Sequence, residues 1–345
     1  MNILILGGTG LISREIVKQL LAEGHSVALF NRGDRKLEFT GAAHYIYGNR
    51  YDKEDFSRKM NAVEPDVVID MICYNKDDAY QTYEAFAGRI PQIIFTSSVA
   101  AYERPYKEFP MREESEGYCD SAEYPYGYNK AQMEMYLREK MISSDTAITI
   151  LRPSLTFGPG GTNMGTLRQN ANIPYRIKQG KPMVLFGDGT VPWSFTFSPD
   201  VARAYILSCM NPATYNDYFH VANSDIGMWK DLYEMTGKLL NRTVEYRYVP
   251  AAVLSAADPT LFAHLEAEKK FANVFDCSKF KKAVPEFQIN YPLEKGVELM
   301  LDWWESENIP IDIEKDKYET LICSQCDAFE KSFVSAVQLH RIVST

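Results

Sequence analysis

The sequence predicts an α/β fold, in which a doubly wound parallel sheet is followed by a smaller C-terminal domain. The chain opens with a buried strand at residues 2–6, a glycine-rich turn at 7–10 and a helix with apolar residues at helical spacing. Apolar strands then alternate with amphipathic helices as far as residue 151. The chain has 345 residues, of which 46% are apolar and 24% charged, so it can bury the core that such a sheet needs.

The glycine-rich turn has the composition of a phosphate cradle. It joins a strand to a helix, so the N–H groups and the positive dipole end of the helix are directed at it. Glycine permits the tight turn and lets a phosphate approach the backbone. Glycine turns also occur for structural reasons alone, but the flanking strand and helix favour a dinucleotide site. The predicted contacts are Gly7, Thr9, Gly10, Leu11 and Ile12.

The turn after the second strand, at residues 26–30, bears on the choice of cofactor. A dinucleotide fold usually has Asp or Glu here to bind the ribose hydroxyls. This chain has Asn31 instead, followed by Arg32, Arg35 and Lys36. Because cations suit the additional 2′-phosphate, we expect NADP in preference to NAD, with Asn31, Arg32 and Arg35 as contacts. The alternative interpretation is a solvated basic turn.

The later elements extend the same pattern. Strands are predicted at residues 44–47, 66–72, 92–96 and 146–151, and helices at about residues 56–63, 79–86 and 126–137. These form a Rossmann-type domain over 1–164, which regains the segment 190–222. The remainder, 165–345, is predicted to be a smaller substrate-binding domain that ends in an additional helix within 309–345.

Three residues near the sheet have the chemistry of an acid–base site. Tyr126 and Lys130 are four residues apart in a predicted helix, so they project from one face. A free tyrosine has a pKa of about 10, and a nearby ammonium and a positively charged nicotinamide ring would lower it. Ser98 follows the fifth strand, at the carboxyl edge where open α/β sheets bind ligands, and can hydrogen-bond a reacting oxygen.

These motifs together make the chain similar to one known family. They are GGTGLIS (7–13), TSSVAAY (96–102), YGYNK (126–130), LRPSLTFGPG (151–160) and FGDG (186–189). Over about residues 1–305 the sequence resembles the extended short-chain dehydrogenase/reductase superfamily, in its NAD-dependent epimerase/dehydratase group. The resemblance implies hydride exchange between bound nicotinamide and a secondary alcohol or ketone, by a reductase or an epimerase, and a homodimeric assembly.

The resemblance also implies roles for single residues. Tyr126 would be the acid and base, Lys130 would hold the nicotinamide ribose, and Ser98 would orient the substrate oxygen. Arg152 and Pro153, at the end of the sixth strand, would line the nicotinamide end of the site.

Departures from the family pattern bear on the substrate. The acid pair of sugar-nucleotide 4,6-dehydratases is replaced by Val99 and Ala100, which cannot move protons, so dehydration is not expected. The arginine with which nucleotide-sugar epimerases usually hold a diphosphate is replaced by Trp193. Either another cation holds the diphosphate, or the substrate is smaller and less charged. The candidate cations are Arg168, Arg176 and Arg203. A nucleotide-sugar 4-epimerase therefore remains the alternative to a reductase.

Aromatic residues of the second half are expected to pack in a core rather than to face substrate. They are Trp193, Phe195, Phe197 and Trp229. No metal site is expected, because the five histidines are far apart and Cys323 and Cys326 form a single CxxC within a helical pattern.

Charge and composition disfavour other classes of protein. The net charge of −9 disfavours nucleic acid as a partner, and so disfavours a non-catalytic NAD(P)-sensing or RNA-binding relative. Apolar runs are strand-length and the first strand begins at residue 2, so neither a membrane span nor a signal peptide is expected. Six scattered cysteines then indicate a reduced, cytoplasmic setting.

Overall fold

The fold is that of a computed structural model, which describes residues 1–35, 39, 41–161 and 164–339. The chain forms two compact units. The first contains Met1–Gly161, Ser194–Ile226 and Asn273–Leu293, and the second contains Thr162–Trp193, Gly227–Ala272 and Glu294–Thr345.

Strands and helices alternate through the described residues. The strands are β1 (Asn2–Leu6), β2 (Ser26–Asn31), β3 (His44–Tyr47), β4 (Val67–Asp70), β5 (Gln92–Thr96), β6 (Ala147–Pro153), β7 (Leu155–Phe157), β8 (Met183–Phe186), β9 (Pro192–Phe197), β10 (Asp217–Val221), β11 (Ile226–Met228) and β12 (Tyr246–Val249). The helices are α1 (Leu11–Ala22), α2 (Lys53–Asn61), α3 (Lys76–Phe86), α4 (Pro125–Met141), α5 (Asn172–Lys178), α6 (Ser198–Ser208), α7 (Trp229–Leu239), α8 (Ala251–Ala257), α9 (Pro259–His264), α10 (Ser278–Ala283), α11 (Leu293–Ser306) and α12 (Ile313–Leu339), with a π-helical turn at Leu265–Lys269.

Seven of the described strands form one parallel sheet in the first unit. Their order is β10-β6-β5-β4-β1-β2-β3, which confirms the predicted α/β fold with a doubly wound sheet. The chain winds one way from β1 to β3 and the other way from β4 to β6. The reversal opens a crevice at the carboxyl ends of β1 and β4, where this class of sheet binds ligands.

β1 lies inside the sheet, between β4 and β2, and both of its faces are apolar. Ile3 and Ile5 pack in one hydrophobic cluster, and Leu4 and Leu6 pack in a second cluster on the opposite face. A strand that is covered on both faces reads as a continuous apolar run, and this is the pattern that predicts it. The parallel register places Ile3 beside Val67 of β4.

In the second unit, β8 and β12 form a parallel pair, and α12 packs on it. The carboxylate of Glu319 on α12 is fully buried, where it accepts hydrogen bonds from Val184 N (2.9 Å) and Gln169 Nε2 (3.2 Å) and pairs with Arg176 Nε (3.3 Å). Burial raises the pKa of Glu319 to about 7. The predicted additional helix is therefore part of the second unit.

Towards its C-terminal end, α12 exposes the apolar side chains of Phe329, Phe333 and Val337. Residues 340–345 lie outside the described part of the chain. Among residues 1–35, 39, 41–161 and 164–339, every helix is too short or too polar to cross a bilayer.

Candidate active site

A cleft of about 500 Å³ lies in the first unit at the carboxyl edge of the sheet. Its wall includes most of the residues that the sequence assigns to a dinucleotide. They are Gly7, Thr9, Gly10, Leu11, Ile12, Asn31, Arg32 and Arg35. The far end of the same cleft is lined by Tyr74 and Thr96, which follow β4 and end β5. One continuous cleft therefore joins the glycine turn to the strand that precedes Ser98.

The glycine turn is packed so closely that side chains at these positions would collide with their neighbours. Gly7 and Gly8 have φ values of 115° and 99°, in the region that glycine adopts without strain. A Cβ at Gly8 would lie 2.9 Å from a methyl group of Leu29. Gly10 is the N-cap of α1, and its N–H donates to Ser13 Oγ at 2.9 Å. The positive end of α1 thus begins at the cleft wall, an arrangement that suits a phosphate.

The turn after β2 is held by Asn31. Its Oδ1 accepts from Gly33 N at 2.9 Å, and its Nδ2 donates to Gly7 O at 3.4 Å. Arg32 Nε forms an ion pair with Asp34 Oδ2 at 2.9 Å, and both side chains are more than half exposed. An exposed pair of this kind is weak, about 0–1 kcal/mol, so Arg32 can exchange Asp34 for another anion. Lys36 lies outside the described residues.

Lys130 contacts two residues that line the other end of the cleft, Tyr74 and Thr96, and is not itself part of the wall. Its ammonium donates to Cys73 O at 2.6 Å and to Thr96 O at 2.7 Å, and the side chain is 2% exposed. Burial lowers the pKa of Lys130. Its Nζ also lies over the rings of Tyr74, at 5.4 Å from the centroid, and Tyr126, at 6.0 Å. The predicted pairing of Tyr126 with Lys130 on one face of α4 is therefore present.

Ser98 and Tyr126 come from segments that pack closely. Ser98 begins the short turn Val99–Ala101, and its Oγ accepts from Ala100 N at 3.1 Å. Gly127, next to Tyr126, lies against the Ala100 carbonyl, since a Cβ at Gly127 would be 2.5 Å from that oxygen. Tyr126 itself is 44% exposed. The structure thus brings the serine turn and the start of α4 together.

Arg152 does not line the nicotinamide end as expected. Its side chain is 1% exposed and bound to Glu134, to which Nε donates at 2.9 and 3.0 Å. Ser97 Oγ donates to the same carboxylate, and Tyr118 OH donates to it at 3.0 Å. Burial would lower the pKa of Arg152, but the Glu134 carboxylate outweighs it and raises that pKa well above its usual value. Pro153 is buried beside Val221, and its contact with cofactor stays a prediction.

Glu134 is a residue that the sequence argument missed. It follows Lys130 by four residues, just as Lys130 follows Tyr126, so the three project from one face of α4. An acid at that spacing on a face otherwise directed to the sheet is the signal that could have indicated a buried ion pair.

The candidate diphosphate contacts differ in their surroundings. Trp193 is 1% exposed, and its Nε1 donates to Phe271 O at 3.0 Å, which confirms the expected core packing together with buried Phe195, Phe197 and Trp229. Arg176 is bound to Asp316 and Glu319, and Arg203 is bound to Glu23. Arg168 differs, because no carboxylate in the described part of the chain pairs with it, and its Nε is buried with no hydrogen-bond partner there.

Arg168 belongs to a cationic cluster in the second unit. Burial, followed by the charge of Arg168, lowers the pKa of Lys269 to about 7. The Lys269 ammonium lies 4.4 Å from the ring centroid of Trp229. His264 is 8% exposed, and burial with the charge of Lys269 lowers its pKa to about 3. A charged arginine, a lysine that titrates near neutral pH and a neutral imidazole thus lie close together.

The described residues include no group of three or more His, Cys, Asp and Glu side chains that could hold a metal ion. Cys323, on α12, is buried, and its thiol donates to Pro182 O at 3.6 Å. Both cysteines of the CxxC lie on this helix, where Cys326 is partly exposed.

Comparison with known proteins gives one family and several relatives. The model of the NAD dependent epimerase/dehydratase family matches residues 3–221. The 2′-dehydrokanamycin reductase of Streptomyces kanamyceticus is 26% identical over 289 residues, 84% of this chain and 80% of that one. A chloroplast stem-loop binding protein of 41 kDa, form b, from Arabidopsis thaliana is 23% identical over 64% of this chain and 58% of its own length. The structure of Thermotoga maritima UDP-glucose 4-epimerase with UDP-glucose shares the fold, with a TM-score of 0.71 and 20% identity over 89% of this chain and 100% of that one.

Proposed function

The chain belongs to the NAD dependent epimerase/dehydratase family, and from this premise we propose that it is an NADPH-dependent reductase of a ketone on a small-molecule substrate. The chain is an enzyme that transfers a hydride with a nicotinamide cofactor, and its relatives include a reductase and nucleotide-sugar epimerases. One observation carries the proposal. The glycine turn lines one cleft, and Lys130, which lies over the Tyr126 ring, contacts Tyr74 and Thr96 in the wall of the same cleft.

The residues of the cleft fit a dinucleotide. Gly7 and Gly10 line the cleft without side chains, so a phosphate can approach their backbone, and α1 presents its positive end beside them. Gly7, Thr9, Gly10, Leu11 and Ile12 would hold the pyrophosphate. The nicotinamide ring, when bound, supplies or accepts the hydride.

The protein's own residues move the proton. We infer that Tyr126 gives its phenolic proton to the carbonyl oxygen of the substrate during reduction and takes it back during oxidation. The ammonium of Lys130 favours the phenolate and so makes that transfer easier. Ser98 Oγ accepts from Ala100 N, which leaves its own proton to donate to the substrate oxygen.

Two family positions favour reduction, because one lacks the acid pair used for dehydration and the other lacks the cation that nucleotide-sugar epimerases use. Val99 and Ala100 are buried apolar residues, so the dehydration that needs an acid pair has no proton carrier there. Trp193 offers no charge for a diphosphate, and its N–H is bound within the core. A ketone on a substrate without a diphosphate would need neither. The name of the Streptomyces relative, a reductase, agrees with this choice.

The preference for NADP rests on the turn after β2. Asn31, Arg32 and Arg35 line the cleft beside the glycine turn, where the adenine ribose of a dinucleotide binds in this fold. Arg32 is held by an exposed and therefore weak pair with Asp34, so a 2′-phosphate can replace that carboxylate. Asp34 would still repel the phosphate, so we expect the preference to be moderate.

A nucleotide-sugar 4-epimerase is the second candidate, and one observation favours it. Arg168 and Lys269 are two basic residues in the second unit, and they could bind a diphosphate in place of the missing arginine.

For a homodimer, we propose that α3 and α4 form the contact, because Tyr80 and Met135 leave exposed apolar surface on those helices. Light scattering of the purified protein tests the assembly.

The fate of the cofactor separates the two candidates. A reductase oxidises one NADPH for each substrate molecule, whereas an epimerase regenerates its cofactor within each turnover and consumes none. NADPH absorbance should therefore fall steadily with a panel of aminocyclitol, sugar and alkyl ketones. Interconversion of UDP-glucose and UDP-galactose with no net change in cofactor would contradict the reductase and support the epimerase.

A further inference from the structure

Tyr74 is a second phenol beside the buried Lys130. Its ring is 48% exposed and lines the cleft with Thr96. The Lys130 ammonium lies over this ring, 5.4 Å from its centroid, and over the Tyr126 ring at 6.0 Å. Lys130 is therefore in contact with two phenol rings as well as with two backbone carbonyls.

The backbone around Tyr74 is fixed by buried charges. Tyr74 N donates to Asp78 Oδ2 at 2.8 Å. Asp78 pairs with Arg50, whose guanidinium also donates to Ile72 O at 2.8 Å. Arg50 is 4% exposed and bonded to Asp70 as well. The segment that carries Tyr74 is held on both sides, so its ring is kept in the wall of the cleft.

The ring acts on an ammonium that has lost its water. Burial is the dominant influence on Lys130 and lowers its pKa, while Cys73, Asp70, Glu134 and Asp78 act in the opposite direction. The negative face of an aromatic ring attracts a cation, most strongly where the cation is desolvated. Burial and the nearby Tyr126 raise the pKa of Tyr74, so Tyr74 stays neutral and supplies its ring face without competing for the proton.

We propose that Tyr74 is a positioning residue whose ring holds the Lys130 ammonium charged and in place, so that Lys130 can act on Tyr126. The inference rests on the proposed function, in which Tyr126 transfers the proton. It predicts that the ring of Tyr74, and not its hydroxyl, is the part that matters. Removal of the ring should leave Lys130 less often charged and should therefore raise the pKa of Tyr126.

The test reads Tyr126 directly and needs neither substrate nor cofactor. 3-Fluorotyrosine placed at position 126 reports its ionisation by ¹⁹F NMR as the pH is raised. In Tyr74→Leu the midpoint should rise by up to about one pH unit, because loss of a desolvated cation–π contact lowers the pKa of Lys130 by about that much. In Tyr74→Phe, which keeps the ring, the midpoint should equal that of the labelled protein that retains Tyr74. If Tyr74→Leu does not fold, Tyr74→Met fills a similar volume without a ring.

A midpoint that is unchanged in a folded ringless variant overturns the inference, as does an equal rise in Tyr74→Phe. Lys130→Met serves as the reference for complete loss of the ammonium, and it should raise the midpoint at least as far as Tyr74→Leu. If Lys130→Met leaves the midpoint unchanged, the proposed role of Lys130 is wrong. The proposed reaction fails separately, if wild-type protein consumes no NADPH with any ketone of the panel.

Discussion

Gly127 lies so close to Ala100 that a Cβ at residue 127 would be 2.5 Å from the Ala100 carbonyl oxygen. This contact limits the distance between α4, which carries Tyr126, and the turn that begins at Ser98. Gly127→Ala should therefore push the two segments apart and lower the free energy of unfolding by about 1–3 kcal/mol, as other overpacked sites do.

Urea unfolding checks this value, with Gly117→Ala as the control. A Cβ at Gly117 would lie 3.6 Å from Glu103 Oε2, an ordinary contact distance, so that variant should unfold with nearly wild-type stability. Equal stability of the two variants would show that α4 adjusts without cost.

The proton transfer assigned to Tyr126 gives the second prediction. Tyr126→Phe keeps the ring and removes the oxygen, so it should bind NADPH normally and turn over at least about a hundredfold more slowly. Tyr128→Phe removes the same atom from a side chain two residues along α4, on a different side of the helix, and should keep its rate. Initial rates of NADPH oxidation measure both. Unimpaired turnover by Tyr126→Phe would assign the proton to another group.

The sequence predicts the sheet better than it predicts the site. Strands such as β1 are apolar on both faces, and this local pattern is enough to find them. Glu134 and Arg152 are charged residues 18 positions apart, and neither shows locally that it will be buried against the other. The pairing of Arg32 with Asp34 and the N–H of Trp193 on Phe271 O likewise depend on tertiary geometry.

Cofactor choice is the third prediction. A charge-assisted hydrogen bond contributes about 1.5–3 kcal/mol, which corresponds to roughly a tenfold to hundredfold preference for NADPH over NADH. Arg32→Ala should remove most of this preference. Asp34→Asn should strengthen NADPH binding, because it frees Arg32 and removes a repelling charge. Fluorescence titration measures the affinities, and NADH, which lacks the phosphate, should respond little to either variant. Equal affinity of the wild type for both cofactors would contradict the preference.

Glu319 makes the stability of the second unit depend on pH. Burial raises its folded pKa to about 7, above the value of about 4.3 in an unfolded chain. The unfolded state therefore loses its proton first as the pH rises, and the stabilisation present below pH ~4 is lost progressively up to pH ~7. The full loss should be about 4 kcal/mol, of which about 2.5 kcal/mol falls between pH 5 and pH 7.5.

Urea unfolding at pH 5 and pH 7.5 should show this loss in the wild type and not in Glu319→Gln. Glu330→Gln is the matched control, because Glu330 is an exposed residue of the same helix and should keep the wild-type dependence. Parallel pH profiles for the wild type and Glu319→Gln would mean that Glu319 is ionised in the folded protein.

The last prediction concerns the class of substrate. A diphosphate carries about two negative charges, and a buried anion needs a cation or a helix N-terminus opposite it. Trp193 supplies no charge, while Arg176 and Arg203 are already bound to carboxylates. The remaining candidates are Arg168 and Lys269, and the pKa of Lys269, about 7, leaves it mostly neutral at pH 8. We therefore expect UDP, GDP and dTDP to bind the cofactor-loaded protein weakly at pH 8.

Calorimetry measures the affinity for the three nucleotides. A micromolar dissociation constant for any of them would contradict this prediction and support a nucleotide-sugar epimerase. Two lysine variants would then locate the charge. Lys269→Met should weaken that binding if the cluster with Arg168 holds the diphosphate. Lys270→Met, which removes an exposed lysine paired with Glu266, should not. Because Lys269 gains charge as the pH falls, nucleotide held by this cluster should also bind more tightly at pH 6 than at pH 8.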